Sequence, residues 1–228
     1  MKSLIDSFDA NRDDIERLVS QSLKGSDDGE LFMEYREAEA LVFDNGRLKT
    51  GSFNQEQGFG LRAVAGEAIG YAHAGDMSVA ALKRASDAVS ATLSGHSGNY
   101  AAAPAGTNRH LYTDENPIGS PTFDAKVQLL QKIDAYLRAK DPKVRQVSVS
   151  MAGSWQQVEI LRADGHFVRD IRPMVRLSVS VVAGNGDRQE SGSHTLGGRK
   201  GFGDFITTES WQSVADEALR QALVNLEA

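Results

Sequence analysis

The chain has 228 residues, 40% of them hydrophobic and 25% charged, which is the profile of a soluble globular protein. A net charge of −6 gives none of the basic footprint of a nucleic-acid binder, and the absence of cysteine excludes disulfides, cysteine nucleophiles and thiolate metal ligands within the chain. The N-terminal MKSLIDSFDANRDD turns acidic at once and has no apolar signal-peptide core, and no apolar run approaches the roughly 18 residues of a membrane span. Residues 9–23 read as a helix with Ile15, Leu18, Val19 and Leu23 on one face, capped by Asp9, Asn11 or Asp13 and stopped by Gly25. Residues 30–43 alternate as a strand. Asn45-Gly46 signals a hairpin into a return strand at 47–53, because both residues tolerate positive φ. Further strands are expected at 57–65 and 68–73. A helix rich in small residues, capped by Asp76 or Ser78, then runs to Leu93. Residues 95–121 are rich in Gly, Ala, Ser, Asn and Pro and read as a connector that wraps a surface or is partly disordered.

A second cycle follows. A helix over 123–140, capped by Ser120 or Thr122, presents Val127, Leu130, Ile133, Tyr136 and Leu137, and Pro142 ends it. Strands are expected at 144–152 and 154–162, then, after the Asp164-Gly165 turn, at 166–172 and 175–182. The Gly184–Asp187 turn leads into a polar arm with glycines at 192, 197, 198, 201 and 203, which is either a loosely edged hairpin or a loop that touches something. Thr208 or Ser210 caps a last helix, with Val214, Ala218, Leu219 and Ala222 facing inward. The expected class is α+β: antiparallel meanders with helices packed on one face, in two pseudo-repeats of helix, four strands and helix. The repeats span residues 9–94 and 122–228, with 95–121 between them. The Asn45-Gly46 turn parallels Asp164-Gly165, and 59–66 parallels 177–184.

No catalytic constellation assembles from the residues. His73, His96, His110, His166 and His194 have no metal-pair spacing, and Gly58-Phe59-Gly60 lies inside a strand, not at a dinucleotide-binding turn. Glycines at 58 and 60 read instead as places where a backbone or an aromatic ring lies flat on the sheet. Glu34, Glu37 and Glu39 are either paired acids or, as Arg36 between them favours, a solvated face. Arg169, Arg172 and Arg176 either clamp a carboxylate or pair with the chain's own acids. Residues 197–201 are either an anion nest or a flexible hairpin end. His194, Gly197, Gly198, Arg199, Arg172 and Arg176 are the candidate substrate or partner contacts.

The segment QGFGLRAVAGEAIGYA (57–72), Leu111-Tyr112, DIRPMVRLSVSV (170–181), Gly197-Gly198-Arg199 and ALVNL (222–226) resemble, in that order, the TldD branch of the TldD/PmbA (TldE) metalloprotease family, also called the modulator of DNA gyrase family. The resemblance runs over nearly the whole chain but only the N-terminal half of the family's proteins. It implies a cytoplasmic protease that pairs with a TldE/PmbA-like partner, or with itself, and trims unfolded peptides in an enclosed cavity, with zinc as its cofactor. The family's His-Glu-x-x-x-His motif does not occur here, so no catalytic or metal residue carries over. The expectation is therefore an N-terminal domain, either expressed as such or truncated, inactive alone. It would supply assembly surface and cavity wall to its own C-terminal catalytic half, with no direct contact to nucleic acid or membrane. The alternative is a free-standing module that binds a peptide along an edge strand near 192–202. A weaker alternative is a small-molecule enzyme using His194, Arg199 and the arginines.

Overall fold

A computed structural model describes residues 2–99 and 111–228. After a short 3₁₀ helix at Ile5–Ser7 come α1 (Arg12–Ser22), β1 (Asp28–Asp44), β2 (Arg47–Ala65), β3 (Ala68–Ala74) and α2 (Val79–Thr92). Then follow α3 (Phe123–Lys140), β4 (Val144–Arg162), β5 (Phe167–Asn185), β6 (Arg188–Gly198), a 3₁₀ turn at Gly203–Phe205 and α4 (Thr208–Glu227). The strands form one six-stranded antiparallel sheet in the order β3-β2-β1-β4-β5-β6, so the α+β expectation holds.

Local chemistry explains the boundaries. Asn45 and Gly46 take φ of 51° and 80° in the β1–β2 turn, and Gly165 takes 82° in the β4–β5 turn, where a side chain on ordinary backbone would be strained. Asn11 Oδ1 accepts from Asp14 N (2.9 Å) to cap α1, Ser78 Oγ from Ala81 N (3.1 Å) to cap α2, and Thr122 Oγ1 from Ala125 N (3.4 Å) to cap α3. The cap of α4 is Thr207, whose Oγ1 accepts from Ser210 N (3.2 Å), not Thr208 or Ser210. Asp9 lies outside α1; its carboxylate instead accepts from Val79 N (2.6 Å) at the start of α2.

Each cycle has three strands between its helices, not four. β2, β4 and β5 are 19-residue strands that run through the expected breaks. The reason is visible at Gly153: a Cβ there would sit 3.2 Å from the Phe202 ring, so the glycine admits an aromatic against the strand and makes no turn. The glycine arm is likewise a strand through Gly198. β6 pairs antiparallel with β5 from Asn185↔Arg188 to Val175↔Gly198, which decides the hairpin reading for that stretch. His110 and most of the central part of the expected connector lie outside the described residues.

Two compact units carry separate cores. The first comprises Met1–Arg36, Gln55–Leu111 and Gln156–Ile171; the second comprises Glu37–Asn54, Tyr112–Trp155 and Arg172–Ala228. In the first, Leu31, Met33, Phe59, Leu61 and Ala63 on one strand face pack with Ile15 and Val19 of α1, Leu23 just after it, and Leu82 and Val89 of α2. Period-two strands meeting period-3.6 helices produce this one-sided burial. Glu159 of β4 is fully buried in this unit. Its carboxylate accepts from Ser3 Oγ (2.7 Å), Ile5 N (3.1 Å) and Gln157 Nε2 (2.9 Å), with Arg169 Nε at 3.7 Å. Burying a carboxylate is costly without such hydrogen-bond partners, and here they tie down the N-terminal 3₁₀ helix.

In the second unit, Val175, Leu177, Val179 and Val181 of β5 pack with Leu130, Ile133 and Leu137 of α3 and Trp211, Val214, Ala218 and Ala222 of α4. Gly192 of β6 makes the helix contact possible: a Cβ there would lie 2.3 Å from Ala218 O and 2.3 Å from Ala222 N. Lys126 is 1% exposed; its ammonium pairs with Glu39 and donates to Ile118 O (2.7 Å).

Candidate functional site

The residues singled out from sequence are dispersed. Val179 pairs with His194 and Arg176 with Gly197, so strand alternation puts His194 and Arg176 on opposite faces of the β5–β6 hairpin. His194 is exposed, and its charge adds slightly to the lowering of the Glu217 carboxyl. That lowering comes first from the Arg220 side chain and then from Gln221. The Arg199 guanidinium lies 5.2 Å from the Tyr112 ring centroid. A Cβ on Gly197 would meet Val175 O at 2.4 Å and one on Gly198 would meet the Phe205 ring at 3.1 Å, so both glycines serve close packing. Gly201 and Phe202, inside the arm, are buried. Arg172 and Arg176 share a face of β5, whereas Arg169 is paired with Glu159. The three acids of β1 part company as well. Glu39 joins Lys126, and Glu37 accepts from Asn116 Nδ2 (2.7 Å). Glu34 lines a groove in the first unit.

That groove is a concave feature the sequence did not announce. It encloses about 290 Å³ and is lined by Phe32, Glu34, Glu56, Gln57, Gly58, Phe59, Gly60, Tyr71, His73, Ala74 and Gly75. It opens largely on the strand face opposite the core: Phe32, Glu34, Gly58 and Gly60 alternate with the buried Leu31, Met33, Phe59 and Leu61. Register places Gly60 beside His73. Glycines form the floor, and Tyr71 leans over one of them: a Cβ on Gly60 would meet Tyr71 Oη at 3.0 Å. The expectation of an aromatic ring against glycine is met there. Tyr71 stacks on His73 with ring centroids 5.7 Å apart and stays 63% exposed, and Ile69 on the same strand is 62% exposed. Arg62, opposite Tyr71, is committed elsewhere: its guanidinium bonds Glu30 (2.8 Å) and Asp28 (2.8 Å), which raise its pKa, led by the Glu30 bond. Among the described residues, Glu34 and Glu56 have no ion-pair partner.

No group of three or more His, Asp or Glu side chains that could hold a metal occurs among the described residues. None of the described helices is long and apolar enough to cross a membrane.

Fold and surface together define an α+β protein with two one-sided cores and an open, partly aromatic sheet face. Residues 29–92 match the family model for PmbA/TldA metallopeptidase domain 1, and residues 116–226 match the model for the PmbA/TldA metallopeptidase central domain. The chain belongs to the TldD/PmbA metalloprotease family. It is 36% identical over 91% of its length to a metalloprotease TldD homolog of Haemophilus influenzae, covering 44% of that protein. It is 30% identical over 88% of its length to a metalloprotease TldD homolog of Buchnera aphidicola subsp. Schizaphis graminum, covering 43% of it. The chain thus spans less than half the length of these two relatives. TldE of Thermococcus kodakarensis shares the fold, with a TM-score of 0.75 at 14% identity over 94% of this chain and 47% of that one.

Proposed function

We propose that this chain is the non-catalytic N-terminal portion of a TldD-type zinc metalloprotease acting on unfolded peptides, contributing assembly surface and substrate-cavity wall. The observation that carries the reading is the pair of adjacent family matches, domain 1 followed by the central domain, on a chain covering 44% of a TldD homolog. In this reading zinc and the water-activating acid come from the C-terminal catalytic half, and assembly is with a TldE/PmbA-like partner or a second copy in the cytoplasm. The structural likeness to a TldE supports a partner of the same fold.

The proposal includes an internal duplication over residues 9–94 and 122–228. Each cycle runs helix, three strands, helix. The last turns match, with φ of 57° at Gly66 and 61° at Gly186. Each third strand also carries a glycine against the closing helix: a Cβ on Gly70 would meet Val89 O at 2.9 Å, and one on Gly192 would meet Ala218 O at 2.3 Å.

The test is metal analysis of the purified chain together with digestion of an unfolded peptide with and without chelator. The expected result is substoichiometric zinc and no cleavage. Stoichiometric zinc or chelator-sensitive cleavage overturns the reading. A second reading, a peptide-binding module, is favoured by the terminal place of β6 in the sheet, which leaves one backbone edge without a strand neighbour among the described residues. Calorimetric titration with unfolded peptides separates the two, since the first expects little heat without the catalytic half.

A further inference from the structure

We propose that the glycine-floored groove of the first unit binds the side chain of a lysine or arginine carried on a polypeptide. The inference stands on this unit alone and is independent of the protease reading. Three features converge. The cavity, about 290 Å³, lies at the lower limit of small-molecule sites and suits one long side chain better than a whole ligand. Its walls supply aromatic surface, Phe32 and the exposed Tyr71, on which an aliphatic stem lies and toward whose rings a cation is drawn. Its rim carries Glu34 and Glu56, which no described cation neutralises, because Arg62 is held by Glu30 and Asp28.

The glycines decide access. Gly58, Gly60 and Gly75 keep the floor clear of side chains of their own, and the space over Gly60 is taken by the Tyr71 ring, whose Oη lies 3.0 Å from the Cβ position, so the stem lies along that ring while its charged end stays at the wet rim. An acidic side chain would meet two carboxylates, and a purely apolar one would leave both unpaired. The charge pattern therefore selects a cation with an apolar stem.

The experiment is an amide-shift titration of the isotopically labelled chain at pH 8, using capped tripeptides Gly-X-Gly with X as Arg, Lys, norleucine or Glu. Saturable shifts are expected at Gly58, Gly60 and Gly75 with Arg and Lys, and binding at least about tenfold weaker with norleucine. The Glu34→Gln/Glu56→Gln variant should remove the preference for Arg over norleucine, and Tyr71→Ala, at an exposed position, should weaken all binding about tenfold without unfolding the chain. Equal binding of norleucine and Arg, binding of the Glu peptide, or shifts confined to other regions would overturn the proposal. So would a double-carboxamide variant that keeps the full preference.

Discussion

Replacing Gly192 by alanine should loosen the second unit at the contact between β6 and α4. The new methyl carbon would lie 2.3 Å from Ala218 O, 2.3 Å from Ala222 N and 2.7 Å from Gln221 Cβ. Ordinary contact begins near 3.4 Å, so the shortfall is 3.4 − 2.3 = 1.1 Å, and two of the three opposing atoms belong to helix backbone. A flexible side chain could swing aside; a helix must retreat as a body. Retreat of α4 opens the packing of Trp211, Val214, Ala218, Leu219 and Ala222, all 4% exposed or less. Overpacking of this kind costs about 1–3 kcal/mol, and the reduced freedom of the unfolded chain returns only about 0.4–1 kcal/mol. The net loss is about 1 kcal/mol, a melting shift of about 2–4 °C for a chain of this size. Thermal unfolding followed by circular dichroism measures it. Gly203→Ala is the control, since nothing lies within 4 Å of its Cβ position. A Gly192→Ala melting point within about 1 °C of the parent would refute the steric argument.

Two further outcomes follow from charge placement. Glu159→Gln replaces one of the carboxyl oxygens that accept from the Ser3 hydroxyl, the Ile5 amide and Gln157 with an NH2 group, and sets a second amide donor among donors. It should cost about 2–4 kcal/mol and abolish hydrogen-exchange protection at Ile5; retained protection there would sink the idea. Glu217 is lowered from 4.5 to about 2, first by the Arg220 side chain and then by Gln221. A depressed folded-state value means its contribution is present above the unfolded value and is lost as pH falls from about 4.5 toward about 2. Carboxyl carbon shifts should place the Glu217 midpoint near 2 and return it toward 4.5 in Arg220→Ala; an unchanged midpoint would refute the pairing.

Much of the fold was legible residue by residue. Asn45-Gly46 and Gly165 make their turns because positive φ is a property of single residues, and the inward faces of α1 and α4 follow from the spacing of Ile15 and Val19, and of Val214, Ala218 and Ala222. The candidate site was less legible. Gly58 and Gly60 signalled a flat contact, but the ring that fills it, Tyr71, comes from the next strand and is set there by register. Glu34 was grouped with Glu37 and Glu39 by proximity in sequence; the structure assigns the three to different partners or, for Glu34, to the groove.

The chain's sequence alone determined the element types, most turns, the amphipathic faces and the family, because these depend on local backbone preference, periodicity and residue identity. Tertiary structure decided whether a glycine breaks a strand or carries it through. At Gly153 and Gly192 that depends on Phe202 and α4, remote in sequence, which occupy the space a side chain would take. It decided, too, which carboxylates are spent on packed partners, as Glu39 and Glu159 are, and which line an open rim with no ion-pair partner among the described residues, as Glu34 and Glu56 do. Burial and pairing are properties of the packed chain, and no local reading of a glutamate contains them.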